Sequence, residues 1–326
     1  MTTEASPLSA EQMTAVLSAA VRAPSVHNSQ PWRFHVTASG IELHADPARR
    51  LPIADPDDRE LRIACGAALF NLRLALLREG VEPSVTLLPN GPAGALAAVR
   101  YAGEAHLSPA DAVLYAGITR RRTNRKPFED QPVDTEARHD LVRAAEQGHA
   151  RLEVMSDPDD RAAMRRMLLD AHTQQLADPA WAAEFAEWVG RSQAARDGVR
   201  LASSGPQPEP QDTWVFRDFA LGQGPARTPG KDFETEPMIA VLATYVDDAY
   251  AQLQAGEALQ RVLLTATSLG LSASFLSQLI EVDQARKDLR ELLGDAVHPQ
   301  VVLRIGYGTP VAAAPRRAID DVLDVD

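Results

Sequence analysis

Gly66-Ala-Ala-Leu-Phe-Asn-Leu-Arg-Leu-Ala-Leu-Leu-Arg-Glu-Gly80 and Gly256-Glu-Ala-Leu-Gln-Arg-Val-Leu-Leu-Thr-Ala-Thr-Ser-Leu-Gly270 are the two stretches on which the fold turns. Each spans 14 positions between glycines, and Ala68/Ala258, Leu69/Leu259 and Leu74/Leu264 match at a constant offset of 190. Outward from them, Ala-Val-Arg100-Tyr resembles Val-Leu-Arg304-Ile at an offset of 204, and the helix around Leu17 pairs with that around Leu141 at 124. Repeats of this length signal a duplicated unit. Short apolar helices also resemble one another by chance, so the pattern alone leaves duplication and coincidence both open. If the repeat is real, the step from 124 to 190 places about 66 extra residues between Leu141 and Gly256, at about 170 to 235. Trp181, Phe185 and Trp188 share one helical face there, followed by the Pro/Gly-rich run Ser203 to Pro210 and the loop Gly222 to Lys231. A connection this long is a lid or binding element, or a surface hairpin whose aromatic stripe packs on the body.

The rest of the first half reads as α+β. Ser9-Ala-Glu-Gln12 is a capping box opening a helix through Met13, Val16, Leu17, Ala20 and Val21. Ala23-Pro24 stops it, because the residue before proline avoids the helical region. Trp32 to Val36 alternates like a strand and turns at Ala38-Ser39-Gly40 into Ile41 to His44. Asp55-Pro56 is a helix start running towards Gly80, followed by strands at Val85 to Leu88 and Leu96 to Tyr101.

Composition narrows the function classes. The 326 residues carry 33 Lys+Arg against 45 Asp+Glu, a net charge of −12, which argues against a general nucleic-acid binder. Cys65, the one cysteine, cannot form an intrachain disulfide and reads as a small buried apolar residue rather than a catalytic thiol. No Cys/His cluster has zinc spacing, and His27, His35 and His44 are isolated, so no metal is expected. No apolar run approaches the ~18 residues of a membrane span. Met1 to Val21 has no Lys or Arg and does not read as a signal peptide, so a cytoplasmic protein is expected.

Against this acidic background, Arg120-Arg121-Arg122-Thr123-Asn124-Arg125-Lys126 places five cations in seven positions, and Arg316-Arg317 makes a second basic point. A charge run is often solvated surface. The alternative is one small phosphorylated ligand, because the guanidinium fork suits bidentate phosphate binding and Thr123 adds a hydroxyl. GxGxxG and GxxxxGK[ST] are absent, so neither a dinucleotide fold nor a P-loop is indicated. Asp57-Asp58 and Asp159-Asp160 read as helix-start residues.

Ala23-Pro24-Ser25-Val26-His27-Asn28-Ser29-Gln30-Pro31-Trp32-Arg33-Phe34 resembles the APSxxNxQPWxF signature of the flavin nitroreductase family. Arg121-Arg122-Thr123-Asn124-Arg125 with Phe128 is similar to that family's RRSxRxF phosphate motif, with Thr at 123 and one extra residue before the Phe. Leu269 to Phe275 resembles the segment beside the flavin ring, and Val302 to Gly308 with Arg316-Arg317 resembles the last strand and terminal phosphate arginines. In ordinary nitroreductases the arginine motif comes first, within each subunit of a homodimer; here PSVHN precedes it by nearly a hundred residues. At the offset of 124, the first-half counterpart of Arg121 falls before residue 1, and the second-half counterpart of PSVHN falls near Gln147 to Ala150, where none of it survives. Each half therefore keeps one side of a site. This resembles the Acg-like branch, in which one chain imitates the two-subunit enzyme.

The resemblance implies an α+β fold of two fused nitroreductase-like halves, residues 1–110 and 111–326, forming an intramolecular pseudo-dimer with a lid-like insertion at about 170–235. Antiparallel-type sheets are expected at the centre of each half, flanked by helices. It implies one FMN, with Arg121, Arg122, Thr123, Arg125, Arg316 and Arg317 at the phosphate, Ser25, Asn28 and Gln30 at the ring or ribityl chain, and Ser274, Phe275 and Leu276 near N5. The flavin carries the redox chemistry, so no catalytic side chain is expected. The implied partners are NAD(P)H as reductant and a small acceptor such as a nitroaromatic or quinone, with a monomer compatible with the internal pseudo-dimer. The alternative is a flavin-holding protein whose closed lid leaves little NAD(P)H turnover.

Overall fold

The computed structural model describes residues 6–209, 211–224, 227 and 237–324. Met1 to Ala5, Pro210 and most of the expected loop after Gly224 lie outside these residues.

Helix α1 (Ala10–Ala20) begins at the capping box: Ser9 Oγ accepts from the Gln12 N–H, and the Gln12 side chain accepts from the Ser9 N–H. Strands β1 (Trp32–Thr37) and β2 (Gly40–Ala45) form an antiparallel hairpin that buries Trp32 and Phe34 completely. Helix α2 (Arg59–Arg78) starts later than the proline at 56 implied. The Asp55 carboxylate accepts from the N–H groups of Glu60 and Leu61, while Asp58 turns left-handed at φ 55°. Strands β3 (Val81–Leu87) and β4 (Ala97–Glu104) complete the sheet order β3-β4-β2-β1.

Helix α3 (Pro109–Ile118) leads into the arginine run, followed by α4 (Thr135–Gln147) and β5 (Arg151–Val154). Helices α5 (Pro158–Ala177) and α6 (Pro179–Trp188) precede β6 (Met238–Thr244), α7 (Ala249–Ser268) and β7 (Ser272–Phe275). The short α8 (Gln278–Glu281) and α9 (Asp283–Leu292) separate β7 from β8 (His298–Gly306). The second sheet runs β5-β6-β8-β7, which reproduces the order β1-β2-β4-β3 of the first, antiparallel throughout. A last short strand, β9 (Leu323–Asp324), crosses back to lie parallel to β1. The segment that breaks the match runs between β5 and β6, so it opens right after Val154 rather than near 170. A second, smaller one is α8–α9, which accounts for the step in offset from 190 to 204.

The two sheets join through α2 and α7, each of 20 residues. The helices cross at the paired glycines. A Cβ on Gly66 would lie 2.1 Å from the Leu253 carbonyl oxygen, and one on Gly256 would lie 2.1 Å from that of Ile63. Only hydrogen fits at either position, which is what the repeated glycine is for. Arg62 Nε donates to Gln252 Oε1 at 2.6 Å, again between residues 190 apart.

Candidate functional site

The loop after α1 carries unusual backbone. His27, Asn28 and Gln30 all have left-handed φ, at 49°, 59° and 55°. Non-glycine residues adopt that region rarely and at some cost, and such strain clusters at functional sites. Hydrogen bonds hold it: Ser25 Oγ accepts from the Gln30 N–H at 2.9 Å, and Asn28 Nδ2 donates to the carbonyls of Gly198 and Pro315, both at 3.2 Å. Asn28 Oδ1 accepts from Arg316 at 3.0 Å, so one side chain ties together the loop, the inserted segment and the C-terminal tail.

The arginine run is suspended from the second sheet. The Asn124 N–H donates to Ala273 O at 2.9 Å, and the buried Arg304 of β8 donates to the carbonyls of Asn124 and Lys126 while lying 4.1 Å over the Phe128 ring. This fixes the direction of Arg121. Its guanidinium is buried, Nη2 donates to Arg22 O at 3.3 Å, and Nε and Nη1 have no protein partner.

These two loops bound a cavity lined by Ser25, Asn28, Arg121, Arg122, Thr123, Arg125 and Arg316, closed by Gly198, Val199 and Ser203 of the inserted segment. A second cavity shares Pro24, Ser25, Thr123 and Arg125 with it. That one is mostly apolar, with Ile63 and Ala64 of α2, Leu259 of α7, Phe219, Phe275 and Val301, and it also receives His27, Glu60, Arg217 and Ser274.

The charges of the two cavities differ in kind. In the first, burial and the neighbouring guanidiniums of Arg122 and Arg125 push Arg121 down to about 10. Burial, then Arg121, Arg22 and Arg122, push Arg316 down to about 9. Burial and Arg217 push Arg125 down to about 10. Packed cations without an anion repel one another, and a bound anion would relieve that repulsion. Behind the wall of the second, where Arg217 reaches Glu281, burial would raise Glu281, but its ion pair with Arg217 at 2.8 Å overrides this and holds it below the ordinary carboxylate range. Glu60 goes the other way: burial and the charge of Glu281 push it well above that range, against the pull of Arg59. Burial lowers His27 to about 3, with Arg217 and Arg125 adding to the effect against the opposing pull of Glu281, so its imidazole is neutral.

Nine of the expected site residues are brought together. Ser25, Asn28, Arg121, Arg122, Thr123, Arg125 and Arg316 line the first cavity, and Ser274 and Phe275 the second, with Ser25, Thr123 and Arg125 common to both. Gln30, Arg317 and Leu276 line neither. Gln30 is fully buried and donates to Arg196 O at 2.9 Å while accepting from the Arg317 N–H. Arg317 turns away to an ion pair with Asp46 at 3.0 Å. The Leu276 N–H is committed to Val302 O at 3.0 Å, so it is not free to meet a cofactor. Arg316 reaches the cavity but spends its donors on Asn28 and on the carbonyls of Val21, Arg22, Ala23 and Pro315.

The aromatic stripe of the inserted segment divides. Trp181 and Phe185 are buried and stacked with centroids 4.7 Å apart, and Phe185 meets the His27 ring edge-on at 5.2 Å. Trp188 faces Arg49 instead, at 5.8 Å. Glu184 secures the segment by accepting from the N–H groups of Ile53 and Ala54 at 3.0 and 2.8 Å. Glu60, Arg217 and Phe219 were not singled out by the sequence as site residues, because none stands in a motif; His27 lies inside the PSVHN stretch, at a position the signature leaves open, and the four meet only through tertiary packing. Among the described residues no group of three His, Cys, Asp or Glu could hold a metal ion, and no helix is long and apolar enough to cross a membrane.

A model of the Nitroreductase family matches residues 4–53 and 118–307. A Mycobacterium tuberculosis H37Rv protein named "Putative NAD(P)H nitroreductase Rv3131" is 34% identical over 326 residues, covering 97% of this chain and 92% of the relative. "Putative NAD(P)H nitroreductase acg" from the same strain is 31% identical over 316 residues, covering 94% and 93%. Among solved structures, a Desulfitobacterium hafniense nitroreductase with bound FMN is 13% identical, with a TM-score of 0.42, covering 66% of this chain and 98% of that one.

Proposed function

Because the chain belongs to the nitroreductase family, we propose that it binds one FMN across the two adjoining cavities and acts as a two-electron oxidoreductase on a small acceptor such as a nitroaromatic or quinone. The observation that carries this reading is Arg121: a buried guanidinium with two unpartnered nitrogens, in the wall of a cavity that also holds Thr123 and Arg125. A buried donor without a partner costs about 1–3 kcal/mol, more when charged, unless a ligand supplies the acceptor. A phosphate does so, and it also relieves the repulsion among these arginines. Arg121, Thr123 and Arg125 would hold it, with Arg122 beside them. Arg316 acts as a positioning residue, fixing Asn28 and the strained loop. The second cavity, walled by Ile63, Leu259, Phe219 and Phe275, suits the planar and largely apolar body of the same ligand.

When bound, FMN supplies the hydride and electron chemistry, with NAD(P)H as the proposed reductant. The chain's own residues bind, orient and exclude water. Arg217 is held at Glu281 and Gln175, with its guanidinium 5.2 Å from the Trp181 ring centre, so a fixed positive charge stands at the cavity edge.

The matched strand orders and the glycine crossing support reading residues 1–110 and 111–326 as two copies of one unit, with the site at their seam. The inserted segment walls both cavities, which supports its role as a lid. It also favours a second reading, in which Phe219, His27 and Phe185 keep nicotinamide away and the protein holds FMN with little turnover. The rate of flavin bleaching by NADPH under anaerobic conditions separates the two. A cytoplasmic location fits the buried single thiol of Cys65.

The phosphate assignment is tested by Arg121→Ala combined with Arg125→Ala. Hydrogen bonds to charged groups are worth about 1.5–3 kcal/mol each, so losing two should weaken FMN binding on the order of 100-fold or more in a fluorescence-quenching titration. Wild-type affinity in the double variant would refute the assignment.

A further inference from the structure

Glu60 has no part in the phosphate site, yet it is a buried carboxyl with an unpartnered oxygen. It sits in the first turn of α2, on the same helical face as Ile63 and Ala64, all three lining the apolar cavity. It is 9% exposed, and its Oε2 has no hydrogen-bond partner. Its nearest cations are already engaged: Arg59 donates to the carbonyls of Ile280 and Gln300, and Arg217 is paired with Glu281. Glu60 also lines a small side recess with Ser29, Arg49 and Asp55 and the apolar Val26, Leu51 and Leu61. Arg49 reaches solvent there, about one-fifth exposed beside Asp197. The carboxyl thus stands between the cavity proposed for the flavin body, over which an acceptor would be reduced, and a narrow, largely apolar recess.

We propose that Glu60 is the proton donor to the acceptor during its reduction. The inference rests on the flavin reading above. A quinone becomes a hydroquinone by taking a hydride, which carries both electrons, and one proton. The electron pair comes from the reduced cofactor that NAD(P)H has charged; the proton comes from the Glu60 carboxyl, breaking its O–H bond as the new O–H bond of the hydroquinone forms. The resulting carboxylate regains a proton from solvent. For the donor to work near neutral pH the acid must be protonated there. Burial, Glu281 and Asp55 favour that state, while Arg59 and Arg217 oppose it; His27 is neutral. The sign follows: donation is intact below the raised pKa of Glu60 and is lost as pH rises through it.

The test is Glu60→Gln, which keeps shape and a donor N–H but carries no transferable acidic proton. In protein without cofactor, the infrared carbonyl band of a neutral carboxylic acid should be present near neutral pH in the wild type and absent from the variant. Reoxidation is compared on the FMN-loaded fraction of each protein, because Glu60 lines the cavity proposed for the flavin body. After photochemical reduction and anaerobic mixing with a quinone, the variant should reoxidise about 100-fold more slowly and lose the decline at high pH seen in the wild type. Absence of the neutral-acid band, or reoxidation of E60Q at the wild-type rate and with the wild-type pH profile, overturns the proposal. Weakened FMN uptake by E60Q alone would overturn it too, recasting Glu60 as a cofactor contact. A wild-type protein that takes up no FMN would defeat the flavin reading itself, and the proton step with it.

Discussion

Helices α2 and α7 are the same length, cross through the same glycine, and differ almost entirely at their first turns. Glu60 of α2 is buried in a cavity wall, whereas Tyr250, its counterpart at the offset of 190, is 48% exposed, with Tyr245 and Val246 beside it exposed as well. The difference lies in what has been added around them. The start of α2 is covered by α8, inserted between β7 and β8, and by Arg217 and Phe219 of the long segment between β5 and β6. The matching positions in the first half are short: β3 and β4 are joined by residues 88–96, and β1 turns directly into β2. Among the described residues, of the two matched helix starts the one at α2 is covered, and the covered end is where the arginines and the strained loop converge.

Substitutions on the two helices break this comparison in different ways. The largest effect is expected where they are equivalent. Gly66→Ala drives a Cβ into the Leu253 carbonyl, and backbone on both sides leaves no flexible side chain to yield. Overpacking of this kind costs about 1–3 kcal/mol and more when rigid, so the variant should melt many degrees lower or fail to fold, as thermal denaturation would record. An unchanged melting temperature would mean that the crossing is looser than the symmetric contacts imply. At the other extreme, Tyr250→Ser at the open end should change stability by no more than about 0.5 kcal/mol in a urea titration and leave FMN binding unaltered. A marked loss of FMN there would show that the open end also contributes to a site.

Much of this was legible in the residues. The capping box at Ser9, the hairpin from Trp32 and the repeated Gly66/Gly256 helices follow from local spacing, and local spacing survives into the fold. The PSVHN and arginine motifs were legible as a site because their residues are chemically distinctive, and seven of them reach one cavity. Three expected site residues line neither cavity, for a common reason. Gln30, Arg317 and Leu276 sit next to true lining residues in sequence, but their polar atoms are claimed by Arg196, Asp46 and Val302, contacts that sequence neighbours do not reveal. Glu60 was hidden for the opposite reason. In sequence it is one more acid at a helix start, and only the packing of α8 and the inserted segment turns it into a buried, unpartnered carboxyl.

The central claim is that two like halves build one unlike site. Equilibrium titration of cofactor-free protein with FMN, followed by quantitation of bound flavin per chain, tests it most directly. One FMN per chain, lost in the Arg121→Ala and Arg125→Ala double variant, is the predicted result. Two FMN per chain, or none, would contradict it.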